Sequence, residues 1–498
     1  MFWGLCAILV FLPLPFGAVD ERTIFLFEAA TAILFGMYVW GRRPEKSSEE
    51  SGGDSVGAAR VSDESRRPKK RRVPWVLKAL LAVFGAILAL QLVPLPDAVL
   101  EILSPRTFAI YDRLIAAGIA GGAAGGNTLS FSPALSSYEV FKYLCYFLFG
   151  YLVLKCVRTR KKTEIFVLAV LAGGLFQSFY GLAEYFGGTG RIFGYKNAAY
   201  AESAFGTFIN RNHFAGFLEM IFPLSVGYLL AKADFFTMKK SLPLRRRIVW
   251  FGQERLQRAL VFGLVPVIIG LGIVYSKSRS GIIIFFVTVF LISIALSLGG
   301  GKREEKGTRE RKIIRASRTI ALVVIFSSAF VGLRPVIERF SIEMLKREGR
   351  PAIYKNTLDL ISDYPLFGTG TGTYVNSYTH YDRLSTPGIT DHAHSDYLEI
   401  LAETGIIGGT AAIAAALAAL GYLFSRWLRR SDYFLKGILL GCMGGIAAIL
   451  IHSLSDFNLR IPANAVYFVT FYALSFRIAA GEARSAGRGP GAGSIKKQ

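Results

Sequence analysis

The stretch "GTFINRNHFAGFLEMIFPL", residues 206–224, sets four polar side chains at the mouth of a long apolar run. Asn210, Arg211, Asn212 and His213 come first, and from Phe214 the chain turns hydrophobic. Polar groups are costly to bury without partners. They therefore lie in water at a membrane edge, or they line a polar site. The apolar run that follows is long enough to cross a bilayer core of about 30 Å.

The same pattern recurs along the chain. Its 498 residues are 52% hydrophobic with a formal net charge of +23, and the mean hydropathy is +0.41. Soluble enzymes seldom combine such hydrophobicity with so basic a balance. The apolar residues fall into blocks near 1–19, 23–40, 73–93, 138–156, 164–183, 213–231, 259–275, 281–298, 319–336, 405–424, 436–454 and 465–480. Blocks of this length predict membrane-spanning helices, so the expected fold is an all-α polytopic membrane protein with about twelve spans. The first block lacks a basic start and a small-residue cleavage site, so it is read as a span and not a signal peptide. It forms a hairpin with the second around Asp20, Glu21 and Arg22.

Charge then orients the bundle. Basic runs occupy 42–72, 157–162 ("VRTRKK"), 239–247 ("KKSLPLRRR"), 301–318 and 425–434. In a twelve-span arrangement all of them fall on one side, which the positive-inside rule assigns to the cytoplasm together with both termini. The net charge is thus a topology signal and gives no support to nucleic-acid binding. Six regions are expected: an N-terminal hairpin (1–40), a basic disordered linker (41–72), a transmembrane core (73–336), an extracytoplasmic loop (337–403), C-terminal spans (404–480) and a cytoplasmic tail (481–498). Cys6, Cys145, Cys156 and Cys442 lie in or at the ends of spans, so no disulfide framework is implied.

Cations are rare on the outer side, which makes Arg211, Lys277, Arg279, Arg347, Arg350 and Arg460 informative. Guanidinium groups placed against the topological trend suit an anionic ligand. In the large loop, Ile337, Phe340, Met344 and Leu345 recur at helical spacing, as do Leu358 and Ile361, and both read as short amphipathic helices. "GTGTG" (368–372) lacks the P-loop lysine and reads as a plain turn. "ITDHAHSDYLEILAETGIIGG" (389–409) holds His392, His394, Asp391, Asp396, Glu399 and Glu403. A zinc site there lacks a third His or Cys close by, and two solvated loop histidines are the bland alternative. A general base fits better, because an imidazole takes a proton near neutral pH and a carboxylate can fix its tautomer. For Asn210 to His213, helix capping is the competing account. Arginines plus one imidazole suit a displacement whose leaving group is a diphosphate, which points to glycosyl transfer from a lipid-linked sugar.

"GTFINRNHFAGFLEMIFPL", "SKSRSG", "GRPAIYKNTLDLISDYPLFGTGTGTY" and "HAHSDYLEILAETGIIG" resemble, in order, the motifs of the O-antigen ligase and polymerase superfamily. The resemblance covers about residues 187–409. It implies an inverting, metal-independent transferase of the multi-spanning glycosyltransferase class, needing no cofactor. Its implied donor is an undecaprenyl-diphosphate-linked glycan, and its acceptor is lipid A core or another glycan, met among membrane lipids at the outer face of a bacterial inner membrane. Arg279 and Arg350 match the family's diphosphate-binding arginines, and His394 matches the histidine that activates the acceptor. Arg211, Asn210 and Asn212 match donor-side lining, with Lys277 and Asp396 as further substrate contacts. The family often has Asn after that histidine, where this chain has Ser395. A repeat-unit polymerase or a protein O-oligosaccharyltransferase shares these residues. A transporter or flippase would place charges within spans, where Glu28, Lys78 and Glu219 are the candidates.

The orientation is directly testable. A cysteine at Thr386 in a cysteine-free background is expected to react with a membrane-impermeant thiol reagent on intact spheroplasts, and one at Ser55 is not. Labelling at Ser55 with silence at Thr386 reverses the topology.

Overall fold

The computed structural model describes residues 1–41, 73–118, 127–197, 199–232, 254–298, 349–383 and 389–481. Outside these lie the expected linker, the expected span 319–336, the amphipathic segment around Phe340, Arg347, the basic runs 239–247 and 301–318, and most of the tail. Among the described residues the protein is helical, with one two-residue hairpin in which β1 (Arg191–Ile192) pairs antiparallel with β2 (Tyr195–Lys196). Among the same residues, seven helices are long and apolar enough to cross a membrane. They are α2 (Glu21–Trp40), α7 (Arg160–Gly187), α8 (Arg211–Ala231), α10 (Arg279–Leu298), α13 (Asp396–Leu428), α14 (Tyr433–His452) and α15 (Pro462–Ala480). Shorter apolar helices are α1 (Phe2–Phe11), α3 (Trp75–Leu90) and the apolar part of α9 (Glu254–Tyr275). The 24-residue α6 (Pro133–Cys156) carries Glu139, Lys142 and Lys155, and at about 1.5 Å per residue it is as long as the others.

Among the described residues the expected blocks and the observed helices coincide apart from the first. There α1 stops at Phe11, before Pro13 and Pro15, and the chain turns with Phe16, Gly17 and Ala18 at positive φ. Proline removes the donor that helix continuation needs, so residues 1–19 form a short helix and a turn, not one span. A second unforeseen feature is the platform of α4 (Asp97–Leu103) and α5 (Pro105–Ala116). Arg106 on α5 pairs with Asp363 at 2.7 Å, at the end of α11 (Arg350–Asp363).

The helix starts are written locally. Side chains of Asp20, Thr159, Asn210, Ser395 and Asp432 accept from the backbone N–H groups of Arg22, Lys162, Asn212, Leu398 and Leu435. Each cap satisfies a donor that the first turn leaves unpaired. At the centre, α8 and α14 approach through glycine. A Cβ at Gly437 would lie 2.6 Å from the Gly227 carbonyl oxygen, and one at Gly441 2.8 Å from that of Pro223. Small residues permit this backbone contact between spans.

The loop-rich end of the bundle is tied to α13 by residues 364–373. Gln91, fully buried, donates to the carbonyls of Phe367 (2.8 Å) and Glu403 (2.7 Å) and accepts from the Thr371 N–H at 3.0 Å. Ser136 on α6 donates to the Thr371 carbonyl at 2.7 Å. The N–H groups of Gly372 and of Tyr374, which opens α12 (Tyr374–Tyr378), donate to Glu403. The glycine run is thus a joint whose donors are consumed inside the protein, in keeping with the plain-turn reading. Opposite it, α13 breaks at Gly405, with φ 66° and ψ 179°. Only glycine adopts that conformation readily, and a Cβ there would lie 2.2 Å from the Leu366 carbonyl oxygen.

Gly405→Ala is expected to cost at least about 1–3 kcal/mol and to lower the melting temperature of the detergent-purified protein. Gly36→Ala, in open space on α2, is expected to leave it unchanged or slightly higher. A Gly405→Ala protein as stable as the parent would refute the account of this break.

Candidate active site

Three helices begin with an arginine and converge on one cavity. Arg211 opens α8, Arg279 opens α10 and Arg350 opens α11. The cavity, of about 190 Å³, is lined by these three with Tyr200, Asn212, Ser278 and Ser280. Its lining contains no carboxylate. A helix N-terminus presents unsatisfied N–H groups and the positive end of the helix dipole, so guanidinium charge and dipoles add at this point. Arg211 lies over the Tyr200 ring, 5.3 Å from its centroid. The arrangement suits an anion with several oxygens, such as a phosphate or diphosphate.

One wall of the cavity leads to Asp456, in the turn between α14 and α15. Its side chain is 1% exposed, with Oδ2 accepting from Asn212 Nδ2 at 2.7 Å and from Arg350 Nη2 at 3.2 Å. The Phe457 N–H donates to Oδ1 at 2.9 Å. On the same Oδ1 side, His394 Nδ1 lies 3.5 Å away and His213 Nε2 3.8 Å away. Burial pushes the Asp456 carboxyl up, but the adjacent His213, His394 and Arg350 outweigh it and hold the group well below the ordinary carboxylate range. This carboxylate therefore stays charged and can set which nitrogen of the His394 ring carries the proton.

His394 itself sits at φ 51°, with its carbonyl accepting from the Tyr354 hydroxyl at 2.8 Å. Its side chain is 28% exposed, so the ring reaches solvent while its carboxylate partner does not. Ser395 is used elsewhere: its hydroxyl donates to the Ser453 carbonyl at 3.1 Å and caps α13. The side chain that follows His394 is thus turned to the backbone, and the carboxylate nearest the His394 ring is that of Asp456.

His392 belongs to a second network. Its Nδ1 lies 2.8 Å from Glu399 Oε1, and its ring stacks on Phe457 with centroids 4.1 Å apart. Burial would lower the pKa of this imidazole, but the Glu399 carboxylate outweighs it and raises the group above its usual value. Arg460 lies behind, its Nε 3.0 Å from Glu399 and its Nη2 against Glu403. The two rings of the H-x-H pair thus address different carboxylates.

The other expected site residues divide. Arg211, Asn212, Arg279 and Arg350 meet in the arginine cavity. The Asn210 side chain is spent on the α8 cap. Lys277 is buried at φ 53° with its ammonium over the Tyr185 ring, 5.3 Å from the centroid, and is not in the cavity lining. Asp396 is buried and accepts from the Ser453 hydroxyl at 2.7 Å and the Leu459 N–H at 3.1 Å. Its own N–H donates to the Asp456 carbonyl, so it braces the turn that carries Asp456. Sequence reasoning missed Asp456. The available signal was an acid just past a span, in "SDFNLRIP".

Residues 264–413 match the model of a family described as O-antigen ligase. The matched segment holds Arg279, Arg350, the glycine joint, His392 and His394, whereas Arg211, Asp456 and Arg460 lie outside it. The match supports the O-antigen ligase superfamily, made up of glycosyl-transfer enzymes, as the class to which this membrane protein is related. No curated protein was found to match the chain.

The Asp456 carboxyl has a folded-state pKa below its unfolded value near 3.9. Its contribution to stability is therefore complete above about pH 4 and is lost as pH falls toward the depressed folded value. The melting temperature of the parent, minus that of Asp456→Asn, is expected to shrink as pH is lowered from about 4 toward 2. A difference that holds constant over that range would mean that Asp456 is not stabilised as a buried anion.

Proposed function

We propose that the protein is an inverting glycosyltransferase of the O-antigen ligase kind. It moves a glycan from an undecaprenyl-diphosphate donor to a hydroxyl of lipid A core or a similar glycan, at the outer face of a bacterial inner membrane. What chiefly supports this reading is the cavity where Arg211, Arg279 and Arg350 each begin a helix. In the proposed step His394 accepts the proton of the acceptor hydroxyl while that oxygen bonds to the anomeric carbon. The bond from that carbon to the diphosphate oxygen breaks, and the electron pair leaves with the lipid diphosphate. Charge grows on the leaving oxygens as the bond breaks, so the arginines stabilise the transition state more than the ground state. Asp456 holds His394 in the accepting tautomer and balances the imidazolium that forms.

Arg350 belongs to both halves of this machinery, since it lines the cavity and donates to Asp456. A repeat-unit polymerase or a protein O-oligosaccharyltransferase would use the same residues and differ only in the acceptor. The outward orientation rests on the segregation of Lys and Arg between loops.

With purified protein and labelled donor lipid, Arg279→Ala is expected to slow transfer by about 10²–10³-fold, and Arg279→Lys to recover only part of it because an ammonium lacks the bidentate fork. Arg350→Ala is expected to lose at least as much, having a second partner in Asp456. His394→Ala should abolish turnover while donor binding persists. His392→Ala should be milder, and EDTA should leave the rate unchanged. Full activity of Arg279→Ala, or zinc rescue of a chelated enzyme, would overturn the assignment.

A further inference from the structure

A second polar cavity lies beyond His392. We propose that it is the acceptor-sugar subsite, built to take a neutral or amine-bearing sugar and to turn away a phosphorylated one. This rests on the transferase reading above and adds the chemistry of the second substrate. The cavity holds about 350 Å³, within the size range of small-ligand pockets, and is walled by the starts of α2 and α6, by α12 and by residues 391–403 and 460–462.

Its charge is opposite to that of the arginine cavity. Five carboxyl groups line it, those of Glu21, Glu139, Asp391, Glu399 and Glu403, against the two cations Lys142 and Arg460 and the His392 imidazole, which is paired with Glu399. Both cations are engaged within the wall, Lys142 with Glu139 and Arg460 with Glu399 and Glu403. Glu21 and Asp391 stand exposed at the rim. An incoming phosphate would meet this excess of anions with the cations already committed, and like charges at short range repel. Sugar hydroxyls and ammonium groups, by contrast, donate to carboxylates. Tyr138 and Tyr374 add aromatic surface to the lining.

Position links the cavity to the chemistry. His392 is in its lining, and the His392 ring stacks on Phe457. The same Phe457 ring stands edge-on to His394, with centroids 5.1 Å apart. One aromatic ring therefore separates the wall of this cavity from the residue assigned as general base.

The test uses the full chain in nanodiscs and saturation-transfer NMR with three soluble probes: N-acetylglucosamine, glucosamine and glucosamine 6-phosphate. It is run in the Arg279→Ala background as well as the parent, so that the arginine cavity does not capture the phosphate. Both unphosphorylated probes are expected to show transfer, and in Arg279→Ala the phosphorylated one at least about fivefold less. Val375→Trp, which fills the cavity, is expected to remove the signals, and the exposed rim change Glu21→Lys to raise glucosamine 6-phosphate relative to glucosamine. Persistence of the N-acetylglucosamine signal in Val375→Trp, or equal binding of phosphorylated and plain glucosamine in Arg279→Ala, would overturn the proposal. So would a Glu21→Lys protein with unchanged preference. Inorganic pyrophosphate, followed by calorimetry, reports on the other cavity: no binding to the parent would overturn the donor assignment alone and leave the sugar result standing.

Discussion

A carboxylate taken out of water must be surrounded by donors or it will not stay ionised, and the turn after α14 is organised around meeting that demand for Asp456. Asn212 comes from the start of α8, Arg350 from the start of α11 and His394 from the segment before α13, so three regions distant in sequence converge on one side chain. The Asp456 backbone joins in, its carbonyl accepting from Asp396 and its N–H donating to His452. Removing the charge would leave the partly buried Arg350 guanidinium and the His213 and His394 rings without the carboxylate they share. Such a change is more costly than replacing the whole set by apolar groups. The geometry of the site is therefore a by-product of satisfying a single anion.

The two cavities follow from how cations are used around that anion. Arg211 and Arg279 share a cavity whose lining holds no acid. Arg460 is instead enclosed by Glu399 and Glu403, so it acts as cement between α13 and the turn before α15. Guanidinium groups singled out together in the sequence thus stand in linings of different acid content. Asp396, like Arg460, is engaged within the protein, since its oxygens are consumed by Ser453 and Leu459.

How much of this could be read from residues alone follows from the range of the interactions. Spans are local, because each is a run of apolar residues with a cap, and α2, α7, α8, α10, α13, α14 and α15 were all legible. The failure at residues 1–19 came from weighing hydrophobicity above Pro13 and Pro15. The gathering of Arg211, Arg279 and Arg350 was foreshadowed by their unusual presence in loops otherwise poor in cations. The use of Asn210 as a cap and of Asp396 as a brace could not be separated from ligand binding, because both uses call for the same residue types. Asp456, Gln91 and Phe457 stayed hidden because their partners lie far along the chain, Glu403 being 312 residues from Gln91.

The placing of each cavity arginine as the first residue of its helix has a consequence for how such a protein can diverge. Helical phase advances about 100° per residue, so an insertion within α8, α10 or α11 turns everything beyond it but leaves the leading arginine where the preceding loop put it. An insertion in that loop moves the arginine bodily. Drift in length is thus harmless to the anion site when it falls toward the far ends of these helices and damaging when it falls just before them. Lineages of this architecture can lengthen or shorten their spans to suit membranes of different thickness while the cluster of charges keeps its shape.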